Sequence, residues 1–400
     1  MRLKNRDLHM QLFTNIAYTS SSLFIPIYAA DIGASAAQLG LIVSAYSVAL
    51  LLSNYTLGRL SDIYGIRGVL AISLFSAAIF AFLQLLAADS TELLFVRFFL
   101  GLSAGSSSSL IAYAIDMKRD LGNFSSFASL GGAIGQALAG TIVYLFAGRS
   151  VGKELLYPVF GMSSILLLAA FAISLSTPRG HGRRGRMRFI PPGMFRKGKA
   201  AYLSLALRHF GATAIWTVFP LFCFELTPAS LSYGVRLSLV SLIYVLNSVI
   251  QVLSMHFLTP RFSSSRLVLI GISMSAATFL SFTLAHDYLE LVATQVLLGV
   301  SWSFMYVGGL RYVVEHSNER GTAAGMLSSV MAMSGIGGPI AGGALAGVAI
   351  GSGATHFEGY LAIMYAATAL TTVAAFVFYR MEYGRTVPSL SSATRQRIRR

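Results

Sequence analysis

The sequence predicts an all-α membrane protein of twelve transmembrane helices, arranged as two halves of six. Three observations carry that expectation. Of 400 residues, 55% are hydrophobic and 11% charged, with a mean hydropathy of +0.68, whereas a soluble globular chain carries roughly 25% charge. Apolar stretches near the ~20 residues needed to cross a bilayer recur along the whole chain. The basic residues behind the net charge of +15 lie in short runs between those stretches, as the positive-inside rule expects of loops and tails. Charge placed this way faces anionic headgroups at the cytoplasmic surface and argues against nucleic acid as a partner. The single cysteine, Cys223, excludes a disulfide framework.

Taken in order, the first span is expected over 8–30. Arg2, Lys4 and Arg6 precede it and no A-x-A-like cleavage site follows, so it is expected to remain a full-length helix rather than be removed as a signal. Pro26 is its kink site. The second span, 37–57, stops at Gly58, and the third, 69–88, starts once Arg59, Asp62 and Arg67 have passed. The fourth, 92–115, has one internal charge, Arg97, and ends at Asp116, Lys118 and Arg119. The fifth, 124–147, is glycine-rich, and the sixth, 155–176, follows Lys153 and Glu154. After a long basic break come 200–223, 235–257, 266–285, 289–312, 322–349 and 357–379.

An even number of spans puts both termini on one side. With the N-terminus inside, the outer segments hold only Arg149, Lys153 and Arg236 of the thirty basic residues. They hold instead the acids Asp31, Asp89, Glu92, Glu154, Glu225, Asp287, Glu290 and Glu358. Both termini are therefore expected in the cytoplasm, with the protein in the plasma membrane. The chain divides into an N-terminal bundle (1–176), a basic cytoplasmic linker (177–199), a C-terminal bundle (200–380) and a basic cytoplasmic tail (381–400). The Gly, Pro and Arg content of the linker argues against a packed domain.

The halves share a weak internal repeat. Small residues in 131–140 of the fifth span recur in 334–343 of the eleventh, Arg97 to Gly101 aligns with Gln295 to Gly299, and Asp116 with Glu315. Several matches in one order indicate duplication. Small residues allow close helix approach in a membrane, where packing replaces the hydrophobic drive.

Between the second and third spans stands Gly58-Arg59-Leu60-Ser61-Asp62-Ile63-Tyr64-Gly65-Ile66-Arg67-Gly68. Gly58 permits close helix contact, Gly65 a tight turn, and Asp62 can meet a helix N-terminus or a basic partner. This segment closely resembles the G-x-L-a-D-r-x-G-r-r signature, motif A, of the major facilitator superfamily. Arg97-x-x-x-Gly101 resembles motif B, and Asp116 the acid that pairs with the basic residues of motif A. Glu319-Arg320-Gly321 is a similar entry to span eleven. The resemblance covers the chain and implies two six-helix bundles rocking about a central cavity. It also has departures. The second-half counterpart of motif A, around Thr259, Pro260, Arg261 and Arg266, lacks the acid and both glycines. Motif C, carried in span five by the family's antiporters, is approached by Gly131, Gly135 and Gly140 but has Gln136 where proline is expected. Gly338, Pro339, Gly342 and Gly343 in span eleven match it better.

Arg97, an intramembrane charge, is a functional candidate facing a wet cavity or a partner, with snorkelling to the headgroups as the alternative. Asp62, Arg59, Arg67 and Asp116 are candidates for a cytoplasmic charge cluster that gates the cycle by favouring one conformation. For proton coupling the candidates are Arg97, His209, Asp31 and Glu225, of which His209 titrates nearest neutral pH. Candidate cavity residues lie at helical spacing. They are Asn15, Tyr18 and Ser22 in span one, Thr213 and Trp216 in span seven, Tyr244, Asn247 and Gln251 in span eight, and Gln295, Trp302 and Tyr306 in span ten.

Catalysis finds no support. The seven histidines occur singly, without metal-ligand spacing, and there is no Walker A sequence. No cofactor or metal is expected. The function expected is alternating-access transport of a small molecule, as proton-antiport export of hydrophobic or amphipathic compounds by a monomer. The alternative within transport is uptake of a small anionic metabolite, which Arg97 and Arg208 would suit. A membrane sensor or enzyme is the alternative of another class.

Overall fold

The computed structural model describes residues 5–105, 107, 109–110, 113–114, 117, 121–148, 152–177, 194–317 and 320–384. Those residues form helices and no strand. Ten helices are long and apolar enough to cross a membrane. They account for every expected span except the first and fourth. The first is broken at Phe24 into Arg6–Leu23 and Ile25–Asp31. Pro26 sits in the first turn of the second piece, where no helical partner needs its missing N–H. The fourth is a continuous helix over Ser90–Ala104, beyond which only some residues are described.

Several boundaries differ from the sequence expectation. The second helix runs over Ala36–Tyr64, so 58–64 are helical rather than loop, and Gly65 alone joins it to Ile66–Leu83. The seventh helix, Met194–Glu225, begins inside the segment expected as linker. The twelfth runs to Glu382. Most of the linker and tail lie outside the described residues.

Three helix starts at the end opposite the termini use one device. Asp89 accepts from the backbone N–H of Thr91 and Glu92 at 2.8 and 2.9 Å, while Glu92 accepts from Ala88 N–H at 2.8 Å. Asp287 and Glu290 repeat this at the tenth span, and Thr355 and Glu358 form a capping box at the twelfth. Each box satisfies orphan donors and places an acid against the helix dipole. The acids of this face therefore have a local structural use in addition to balancing the basic face.

The apolar core divides unequally. At the end opposite the termini one cluster runs through both halves, joining Phe24, Tyr28 and Phe160 to Phe219, Phe222, Phe282 and Tyr360. At the end bearing the termini each half has its own cluster, one around Met10, Leu74 and Leu167, the other around Tyr202, Met305 and Phe378. The halves are closed together at one end and separate at the other.

Candidate functional site

The closed end is held by small residues and hydroxyls. A side chain at Gly40 would meet Pro339 and Gly343, and one at Gly343 would meet Ala36 and Gly40, so the second and eleventh spans touch backbone to backbone. Ser44 Oγ adds a 2.8 Å bond to the Ile336 carbonyl. The symmetric contact joins the fifth and eighth spans. Gly140 lies against Ser241, Ser238 donates to the Gly140 carbonyl at 3.0 Å, and Ser241 to the Gln136 carbonyl. Gln136, which replaces the expected proline, accepts through Oε1 from Ser248 at 2.8 Å. At the rim Tyr233 donates to Asp31 at 2.6 Å, linking the eighth span to the first.

The remaining glycines pack each interface helix on its own half. Gly131 and Gly135 meet Asn15, Ile16 and Thr19 of the first span, and Gly338 and Gly342 meet Thr213 and Ala214 of the seventh. The sequence repeat is thus also a repeat of packing, fifth on first and eighth, eleventh on seventh and second. Toward the terminus-bearing end, the second and eleventh spans diverge around a cavity of about 560 Å³, lined by Leu51, Leu52, Asn54, Thr56, Ser328, Ser329 and Ala332.

Gly65 has φ +90° and ψ 144°, a region that residues with a Cβ occupy at a cost of about 1–3 kcal/mol. Gly65→Ala is expected to lower the melting temperature and reduce flux, checked by thermal denaturation and a transport assay on one preparation. Arg67 is partly buried. The side chains of Arg59 and Asp62, the packing of Gly58, and Asp116 lie outside the described residues, so the expected gating cluster is not described.

Arg97 is buried, 4% exposed, rather than at the headgroups. Its guanidinium lies 4.3 Å from the centre of the Tyr46 ring, and Nη1 makes a long 3.5 Å contact to Gln84 Oε1. Gln84 in turn donates to Ser21 at 3.0 Å. Gly101, one turn on, has room for no side chain against Tyr46 and Ala49, which seats the fourth span on the second and brings Tyr46 to Arg97. Arg208 of the seventh span is fully buried beside Ser275, Phe279 and Trp302. Neither arginine has a carboxylate partner among the described residues, and Arg97 Nε and Arg208 Nη1 and Nη2 have no hydrogen-bond partner. A buried unpaired cation costs several kcal/mol, so two of them point to use rather than to stability.

The expected cavity residues fall into separate groups. His209, Trp302 and Tyr306 lie in a row at 5.8 Å for each pair, the first tilted by 36° and the second stacked at 10°. Trp216 and Tyr244 belong instead to the joined core, each against Phe219. Thr213 donates to the Ser334 carbonyl at 2.8 Å. Gln251 donates to Asn247, whose Nδ2 is buried without a partner, as is Gln295 Oε1. Asn15 donates to the Gln11 carbonyl, Tyr18 is half-buried and Ser22 exposed. Asp31 and Glu225 are exposed at the closed end. Tyr46, Gln84, Ser275 and Phe279 were not singled out from sequence. Gln84 had a usable signal, a lone amide within an apolar span; the other three are ordinary helix residues brought in by packing.

Residues 10–192 match the family described as Major Facilitator Superfamily. Multidrug resistance protein 1 of Bacillus subtilis (strain 168) is 25% identical over 377 residues, covering 86% of this chain and 91% of its own. Among solved structures, the nucleoside transporter NupG matches with a TM-score of 0.75 at 16% identity, over 96% of this chain and 100% of that one. A bacterial homologue of the human lysosomal transporter Spinster, in an inward-facing and occupied conformation, matches at 0.68 and 15%, over 93% and 95%.

Proposed function

We propose that the chain, whose residues 10–192 match the Major Facilitator Superfamily and whose helices share the fold of solved transporters of that kind, exports amphipathic or hydrophobic small molecules across the plasma membrane by alternating access, in exchange for protons. The observation that carries this reading is the split apolar core: one cluster across both halves at one end, two separate clusters at the other. With the termini cytoplasmic, as the basic loops favour, that is an inward-facing transporter with its outer gate closed. The cavity between the second and eleventh spans then receives substrate from the cytoplasm or the inner leaflet. A monomer contains both bundles and suffices for the cycle, and the basic residues of linker and tail suit anionic lipid as a partner. The relationship to a multidrug resistance protein supports export.

Asp31 is assigned a part in the outer gate. Although the side chain is exposed, the packed rim around it desolvates its carboxyl in part and raises it above the ordinary value, more than the Tyr233 hydrogen bond lowers it. A group whose proton affinity is higher in the closed state stabilises that state below its closed-state pKa and loses the contribution as pH rises through it. External acidity therefore favours closure. Asp31→Asn is expected to flatten the pH dependence of outer-gate closure, read by labelling of a cysteine placed at the rim.

A second reading, uptake of a small anionic metabolite, is favoured by the adjacency of His209 to the unpaired Arg208. A proton on His209 would stand beside a cation unless an anion were bound there, which couples anion and proton in one direction. Both readings meet one test. Cells lacking their own exporters are loaded with ethidium, a cation, or with carboxyfluorescein generated inside from its diacetate. Export predicts faster loss of at least one dye, stopped by a protonophore. Inserted protein that leaves both unchanged contradicts export, and faster entry of the anion supports uptake.

A further inference from the structure

Arg208 Nε donates to Ser275 Oγ at 3.0 Å, and Ser275 donates onward to the Gly271 carbonyl at 2.8 Å. The rings of Phe279 and Trp302 lie 5.2 and 5.4 Å from the guanidinium carbon. One hydrogen bond and two rings fix the plane of the group. Nη1 and Nη2 are left buried with no partner. Two parallel N–H donors on a fixed plane match the two oxygens of a carboxylate. A structural role explains this poorly, because the one bond made, to Ser275, could come from a neutral donor without burying a charge.

Beside this fork stands an aromatic pair. Trp302 is partly covered, and it stacks nearly parallel, at 10°, on the exposed Tyr306. We propose that Arg208 is an anion subsite, in which Nη1 and Nη2 take a carboxylate of the transported molecule while its apolar body lies on Trp302 and Tyr306. The substrate class is thus an amphipathic organic acid. The subsite rests on the transport reading only in being reached during the cycle, and it applies to either direction of transport.

The protein has two tryptophans, so Trp216→Phe leaves Trp302 as the one reporter. Energy transfer from Trp302 to dansylglycine, which has a carboxylate, and to dansylamide, which has none, gives both affinities at equilibrium in lipid nanodiscs. The parent is expected to bind dansylglycine tighter by about tenfold or more, the size a charge-assisted hydrogen-bond pair supplies. Arg208→Met is expected to abolish that preference, keep dansylamide binding and melt no lower than the parent; Arg208→Lys is expected to keep part of the preference. Equal affinity for the two dyes in the parent, or an undiminished preference in Arg208→Met, would overturn the subsite. If Arg208→Met does not insert, the parent comparison and displacement of dansylglycine by benzoate still decide. Preference for dansylglycine without dye flux contradicts transport alone, whereas flux without preference contradicts the subsite alone.

Discussion

Gly343→Leu is expected to abolish dye flux while leaving the protein inserted in the membrane. A side chain at 343 falls on the Ala36 carbonyl and the Gly40 backbone of the second span, and backbone cannot move aside as a flexible side chain can. Overpacking costs about 1–3 kcal/mol and occasionally more. A bias of about 2.7 kcal/mol changes the ratio of two conformers by about 100-fold, and here it falls on the state closed at the end opposite the termini. Flux through that state should drop by a similar factor. Gly161→Ala is the control, because nothing lies within contact of its added methyl. Flux and membrane level measured together check the expectation; wild-type flux in Gly343→Leu would remove the second–eleventh contact from the cycle.

Arg97→Lys is expected to fail nearly as badly as Arg97→Ala. An arginine reaching the headgroups would tolerate lysine, but Arg97 is buried with its guanidinium over Tyr46 and its Nη1 toward Gln84. A lysine keeps the charge and loses the flat group that spans ring and amide. A desolvated cation–π contact contributes about 2 kcal/mol, or roughly 30-fold. Loss of flux of that order is expected in both variants, measured in vesicles at matched protein density. Full activity of Arg97→Lys would reduce Arg97 to a point charge.

Much of the fold was legible because hydropathy along a membrane chain has one strong period. Most span positions agree with the helices to within a few residues, the end of the second and the start of the seventh excepted, and the glycines of 131–140 and 334–343 announced close packing that the helices show. What was misread or missed depends on contacts between distant residues. The segment 58–64 read as loop because it is charged, yet charged residues at a membrane surface continue a helix readily, and only Gly65 breaks it. The acids at the end opposite the termini read as charge balance, while five of them, Asp89, Glu92, Asp287, Glu290 and Glu358, build three helix caps. Gln136 read as a departure from a motif; its amide bonds Ser248 across the two halves. Trp216 and Trp302 read alike by spacing, but one turn of the seventh span and the register of the tenth put Trp216 in the joined core and Trp302 over Arg208.

The central claim is that the two ends of the protein open in turn. Spin labels on Gly68→Cys and Ser263→Cys report the terminus-bearing end, and labels on Ala88→Cys and Ser352→Cys report the opposite one. All four sites are exposed, and native Cys223 is buried out of reach. Electron–electron distances in nanodiscs, across a pH series with and without transported dye, should show the second pair lengthening as the first shortens. Distances that stay fixed under every condition, or that change in the same direction at both ends, would contradict alternating access.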